Sequence, residues 1–155
     1  MKYNILTVIN EDYRDFGKLF INSLFENVCL RNVERILVYD TGLSEHMLEY
    51  FSFFPKVSVI KTGSDFKSSG IHDEGWKKNT YSKTKYLLEA LETHGLPTIM
   101  IDSDCIFNSS FEEHLNFGVD VIACGRDREG FSKHIGSFFA AMNVENSKNF
   151  INDWI

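Results

Sequence analysis

The stretch LPTIMIDSD, from Leu96 to Asp104, constrains the fold of this chain more than any other segment. A short apolar run follows Gly95 and Pro97 and ends abruptly in two carboxylates, Asp102 and Asp104. In a buried parallel strand such a run supplies core residues, and its carboxyl end opens into the crevice where α/β folds bind ligands. If the chain stays extended here, both carboxylates point the same way, because side chains alternate with a period of two.

Two like charges at this spacing need compensation. Held about 4 Å apart, they repel by about 4 kcal/mol at an effective dielectric constant of 20. Either a divalent cation binds between them or one carboxyl keeps its proton. The competing interpretation is a solvated acidic loop, and Asp-X-Asp alone often arises by chance. The position directly after an apolar strand favours the metal site.

Composition excludes several classes of protein. The 155 residues fit one domain with a real core, and 43% hydrophobic residues are ordinary for a globular protein. A net charge of -6 argues against nucleic acid as the main partner. No apolar run approaches the roughly 20 residues of a transmembrane helix, and the N-terminus is too short and polar for a signal peptide.

The three cysteines, Cys29, Cys105 and Cys124, show no C-x-x-C spacing. They indicate neither a disulfide framework nor a zinc site. We expect reduced thiols in a cytoplasmic protein, which could lie at the inner face of the membrane. Cys105 and Cys124 are predicted to be small buried hydrophobes.

Strand and helix patterns alternate along the chain. We predict strands at Tyr3–Ile9, Arg35–Asp40, Val57–Ile60, Thr98–Ile101, Val119–Cys124 and Ser137–Val144. Helices are predicted over about 15–27, 45–54, 82–94 and 149–155, with a short one near Phe111, and Asp15, Ser44 and Ser147 are the predicted caps. A long polar loop is predicted over 62–79. This alternation predicts an α/β fold, a Rossmann-like three-layer sandwich with a mostly parallel sheet. Function then belongs at the carboxyl ends of the strands.

The order of these elements resembles the GT-A class of nucleotide-sugar glycosyltransferases, nearest family 8 or related sugar transferases. That class has a strand and helix, a second strand ending in an acidic residue, a helix bearing a basic residue, and an apolar strand ending in Asp-X-Asp. The matching segments here are Ile5–Asn10, Ile36–Asp40, the helix with Lys83 and Lys85, Ile99–Asp104, the strand Ser137–Asn143 and the helix after it.

The resemblance implies a single GT-A-like nucleotide-sugar-binding domain over residues 1–155. Family members usually continue past this point into an acceptor-binding region, which often supplies a third metal ligand, so that region is expected to be lacking. By the resemblance, Asp102 and Asp104 hold Mn²⁺ or Mg²⁺, and the ion binds the diphosphate of a UDP- or GDP-sugar. The acceptor would be an unknown glycan or lipid-linked molecule.

Further donor contacts are expected from five residues. Lys85 would face the diphosphate, although Lys83 and Lys85 could equally form a solvated first helical turn. Ser103 would contact ribose or backbone. Asp40 would accept from ribose or base, or else cap the following turn at Gly42 and Leu43. Thr7 and Asn10 line the end of the first strand and would meet the base.

The sequence identifies no general base. Asp127 and Glu129, in the loop after the fifth predicted strand, are weak candidates. His134 precedes the expected sugar pocket, and Trp76 could stack on a sugar or base or simply anchor its loop.

The leading interpretation is a metal-dependent glycosyltransferase. The alternative from another class is a binding module that holds a nucleotide sugar without turnover. A haloacid-dehalogenase-type phosphatase also uses Asp-X-Asp, but after its first strand, whereas the pair here follows the fourth. A nucleotidyltransferase would carry a glycine- and arginine-rich loop after its first strand, and the segment following Asn10 lacks the glycines.

Overall fold

The computed structural model describes residues 1–64, 74–125 and 134–154. The strands are β1 (Tyr3–Ile9), β2 (Val33–Asp40), β3 (Val57–Lys61), β4 (Thr98–Ile101), β5 (Val121–Gly125) and β6 (His134–Ala141). The helices are α1 (Arg14–Asn27), α2 (Glu45–Ser52), α3 (Glu74–His94) and α4 (Val144–Trp154), with short 3-10 turns at Glu11–Tyr13 and Glu112–His114. No helix in these ranges is long and apolar enough to cross a membrane.

The six strands form one sheet in the order β3-β2-β1-β4-β6-β5. β1 pairs in parallel with both β2 and β4, and β2 pairs in parallel with β3. β6 runs antiparallel to its two neighbours, β4 and β5. The predicted mostly parallel α/β sheet is therefore confirmed, with one reversed strand among those described.

Helices cover both faces of the sheet. α1 and α2 pack on the face that carries Ile5 and Ile9 of β1, whereas α3 and α4 pack on the face that carries Leu6 and Val8. All of β1 is buried, as expected for the central strand of a three-layer sandwich. The apolar residues of β1 therefore stabilise both halves of the core.

Helix α3 begins at Glu74, well before the predicted start near Ser82, so the end of the predicted loop was wrong. The first two turns of α3 have no repeated spacing of apolar residues in the sequence, so a pattern of apolar residues does not detect them. They are supported on the surface instead, where Lys77 Nζ lies 2.9 Å from Glu74 Oε1. Residues 65–73 of the predicted loop lie outside the described residues.

Two predicted helix caps were also wrong. Asp15 lies inside the first turn of α1, which follows a 3-10 turn capped by Asn10. Ser147 lies inside α4 and is buried, and its hydroxyl donates to the Asp120 carbonyl at 2.7 Å. The side chain of Asn143 accepts from Asn146 N at 3.1 Å and so caps α4.

The turn before β3 combines a strained backbone with a lysine anchor. Val57 N donates to Phe54 O at 3.4 Å, with Pro55 and Lys56 as the central residues. Lys56 has φ of 66°, a position where glycine is usual in a type II turn. Its ammonium donates to the carbonyls of Leu30 and Val33 at 2.7 and 2.6 Å. The lysine therefore ties this turn to the start of β2.

Two variants separate the anchor from the strain. We expect Lys56→Met to lower the free energy of unfolding by about 1–2 kcal/mol, because two charge-assisted hydrogen bonds are lost. Lys56→Gly loses the same bonds but relieves left-handed strain of about 1 kcal/mol, so it should cost less. Urea unfolding of both variants checks this, and a glycine variant less stable than the methionine variant would contradict it.

Candidate functional site

The carboxyl ends of three neighbouring parallel strands meet at one edge of the sheet. β1 lies between β2 and β4. Asn10 follows β1, Asp40 ends β2 and Asp102 follows β4. The helices after β1 and β2 cover one face and the helix before β4 covers the other, so the connections change sides between β1 and β4. Such a switch point is where open α/β sheets bind ligands.

The acidic pair lies in a turn, not in an extended strand. Asp102 N still continues the ladder with β6 by donating to Ser137 O at 2.9 Å. Cys105 N then donates back to Asp102 O at 3.1 Å, which closes a turn through Ser103 and Asp104. The prediction that both carboxylates point the same way assumed an extended chain, and that assumption was wrong. Asp102 is partly buried, Ser103 is buried and Asp104 is exposed.

Asp102 is paired with a lysine from α3. Lys83 Nζ lies 2.6 Å from Asp102 Oδ1, and the two side chains are 21% and 25% exposed. The sequence predicts a metal ion or a retained proton between the two carboxylates. The structure adds a third form of charge compensation, an internal ammonium on one of the two acids.

The phase of α3 explains why Lys83, and not Lys85, occupies this position. Lys83 lies one and two helical turns before the buried Leu87 and Leu91, on the same stripe that packs on the sheet. Lys85 is exposed, about 200° around the helix from Lys83. The predicted donor contact of Lys85 therefore fits Lys83 better, and the spacing to Leu87 and Leu91 was the signal that could have shown it.

Asp40 holds the turn that follows β2. Its Oδ1 accepts from Gly42 N at 2.8 Å and from Leu43 N at 2.6 Å, and the residue is buried. Of the two roles left open for Asp40, the structure places it in the turn-capping role. Its carbonyl also accepts from the Thr62 hydroxyl at 2.7 Å, which ties the end of β3 to the same edge.

The end of β1 is fixed in a similar way. Asn10 is buried, and its side-chain oxygen accepts from Tyr13 N at 3.2 Å. Glu11 Oε2 accepts from Ser44 N at 2.9 Å, which joins this segment to the start of α2. Slight burial alone would raise the pKa of Glu11, but hydrogen bonds from Ser44 and Arg14 outweigh it and lower that pKa. These groups give the edge a defined shape.

Thr7 lies beneath the edge. Its side chain is fully buried, and its hydroxyl has no hydrogen-bond partner among the described residues. The geometry leaves it no exposed surface from which to contact a base. A donor contact by Thr7 stays a prediction that this arrangement does not favour.

Two carboxylates are the metal-ligating groups that the acidic turn offers. The described residues contain no cluster of three or more His, Cys, Asp or Glu side chains that could hold an ion. Mg²⁺ commonly uses one or two carboxylates together with substrate phosphates and water, and this donor set fits that chemistry. Asp127 and Glu129, as well as the side chains of Trp76 and His134, lie outside the described residues, so their predicted roles stay predictions.

Comparison with known proteins gives a likeness in fold and little in sequence. No family model and no curated protein matches the sequence. The bifunctional glycosyltransferase WbbM superposes with a TM-score of 0.66 and 14% identity, over 97% of this chain and 33% of that one. The galactosyltransferase LgtC, in complex with donor and acceptor sugar analogues, gives 0.72 and 14%, over 97% and 61%.

This chain has the GT-A glycosyltransferase fold. An active-site mutant of LgtC agrees, with a TM-score of 0.71 and 15% identity over 94% of this chain and 59% of that one. The chain thus spans between a third and about three fifths of the length of these GT-A proteins. At such low identity the likeness shows the fold alone.

The cysteine beside the acidic turn differs from the other two. Cys105 is half-buried, and burial together with nearby Asp102 and Asp104 raises the pKa of its thiol to about 11. Cys29 and Cys124 are exposed, so the prediction that Cys124 is buried was wrong. Cys124 lies where the register of β5 shifts against β6, and β5 is the outermost strand on that side of the sheet.

We expect the exposed Cys29 and Cys124 to react faster with a disulfide reagent than the half-buried Cys105. At pH 8 the thiolate fraction of Cys105 should be roughly 10⁻³, against some tenths for an ordinary thiol, so its reaction with a disulfide reagent should be about a hundredfold slower. Its rate should rise with pH until about 11. Cys105→Ser should remove the slow phase alone, and three equal rates in the native protein would contradict the assignment.

Proposed function

We propose that this chain is the donor-binding domain of a metal-dependent glycosyltransferase that moves a sugar from a nucleotide-diphosphate donor to a glycan or lipid-linked acceptor. The observation that carries the proposal is the acidic turn beside Lys83, at the switch point of a GT-A fold. The donor would be a UDP- or GDP-sugar.

Asp102 and Asp104 would hold Mn²⁺ or Mg²⁺. When bound, the dication would supply positive charge to the leaving diphosphate, which gains negative charge as the glycosidic bond breaks. Lys83 would add a second positive charge on the same side, the role first expected for Lys85. The backbone bonds of Asp40 and Asn10 would keep the walls of the donor site in place, without reorganisation on binding.

Two features of the edge argue against the phosphatase alternative. β1 leads into Asn10, which has no nucleophilic carboxylate to form a phosphoryl-aspartate. The carboxylates follow β4 instead, and Asp102 is engaged by Lys83. The binding module without turnover stays the second candidate, because the chain spans only part of the length of its GT-A neighbours.

Asp104 provides the direct test of the metal site. It is exposed, and its side chain forms no ion pair with any cation in the described ranges, so Asp104→Asn should leave the fold unchanged. We expect UDP or GDP to bind the native protein only with Mn²⁺ or Mg²⁺, and the variant to lose this metal-dependent binding. Isothermal calorimetry with metal and with EDTA measures both effects.

Glu113→Gln serves as the control, because it neutralises a carboxylate that is 79% exposed and lies far from the acidic turn. The neighbouring Glu112 accepts a hydrogen bond from Asn32, just before β2 begins, which places this segment at the opposite edge of the sheet. The Glu113→Gln variant should bind nucleotide and metal as the native protein does. Nucleotide binding that persists unchanged in EDTA and in Asp104→Asn would refute the metal-dependent donor site.

A panel of nucleotide sugars separates an enzyme from a passive module. With Mn²⁺ present, we expect slow release of free sugar from one donor, because water can replace the missing acceptor. The native protein and Asp104→Asn should be compared for sugar release by chromatography. Tight donor binding without release from any donor would favour the module.

A further inference from the structure

The Lys83–Asp102 pair places a cation where a metal ligand is expected. Asp102 Oδ1 accepts from Lys83 Nζ at 2.6 Å, and both side chains are about three quarters buried. Screening by water is weaker at such depth than at the surface. A dication that uses Asp102 must therefore either repel this ammonium or displace it from the carboxylate.

The two acids of the turn differ in this respect. Within the described ranges, Asp104 has no ammonium or guanidinium at ion-pair distance, whereas Asp102 has one. The backbone of Lys83 is fixed, because Leu87 and Leu91 hold the same face of α3 against the sheet. Only the four-carbon stem of Lys83 can move, so the ammonium stays near the edge after it leaves Asp102.

We propose that Lys83 is an internal counter-cation that makes metal binding and nucleotide binding depend on each other. This inference rests on the proposed function of the site. In the protein without ligands, the ammonium competes with the dication for Asp102 and weakens binding of the metal alone. The diphosphate of the nucleotide offers the displaced ammonium a new anionic partner, so the metal binds more tightly when the nucleotide is present.

The coupling is reciprocal by thermodynamic necessity. If nucleotide tightens metal binding by some factor, the metal tightens nucleotide binding by the same factor. Lys83 contributes to that factor from both sides, because it opposes the metal alone and favours the complete complex. The effect of Lys83 in this proposal is read in equilibrium binding of metal and nucleotide, not only in turnover.

The test is a binding cycle for Mn²⁺ with and without saturating UDP or GDP. Electron paramagnetic resonance of free Mn²⁺ gives the dissociation constants for the native protein, Lys83→Met, Lys83→Arg and Lys85→Met. We expect Lys83→Met to bind Mn²⁺ alone about three- to tenfold more tightly than the native protein does. The coupling factor, which is the ratio of the Mn²⁺ dissociation constants without and with nucleotide, should be at least about fivefold smaller in this variant. Lys83→Arg keeps a cation and should restore the coupling in large part.

Lys85→Met is the matched control, because it removes the same charge from an exposed position two residues along α3. It should leave both Mn²⁺ constants unchanged. Circular dichroism and thermal melting verify that each variant is folded before titration.

The outcomes separate this inference from the proposed function. If the native protein binds nucleotide with Mn²⁺ but Lys83→Met binds Mn²⁺ alone no more tightly, the inference fails and the proposed function stands. If Lys85→Met changes the Mn²⁺ constants as much as Lys83→Met does, the effect is one of net charge, and the inference also fails. If the native protein binds no nucleotide at saturating Mn²⁺, the proposed function fails, and the inference fails with it.

Discussion

The structure depends on the parallel pairing of β1 with β2 on one side and β4 on the other. The register pairs Ile9 with Asp40 and Leu6 with Met100, so the three strands end at the same edge. β1 is buried on both faces and can form these pairs only in the middle of the sheet. The convergence of Asn10, Asp40 and Asp102 at this edge follows from the pairing, because each of them ends or directly follows one of these strands.

The same helix stabilises the core and sets the charge of the site. Leu87 and Leu91 fix the rotation of α3 on the sheet, and one turn earlier this rotation directs Lys83 to Asp102. A partly buried carboxylate without a partner would be costly, so the ion pair compensates much of the desolvation. A dication at Asp102 would meet a carboxylate whose charge is already balanced. Coupling between metal and nucleotide is the expected consequence.

The sequence predicted the elements with the strongest local signals. The bounds of β1 and β4 were confirmed as predicted, because each is an apolar run with clear polar or glycine boundaries. The start of α3 was missed, since the sequence of its first turns has no repeated apolar spacing. The choice between Lys83 and Lys85 depended on the phase of α3, which the buried leucines determine. The turn at Ser103 and Asp104 depends on hydrogen bonds that no apolar pattern records.

Polar residues at such an edge have two kinds of role, which the sequence alone does not separate. Asp40 and Asn10 accept hydrogen bonds from the backbone that follows their own strands, which gives the edge its shape. Their residue types are also those that bind ribose or base, so composition cannot separate shape from recognition. Lys83 and Asp102 instead bond to each other through their side chains, and Asp104 is exposed. Groups not committed to the backbone can exchange partners when a ligand arrives. This freedom supports the proposal that Lys83, Asp102 and Asp104 would contact a ligand at this edge.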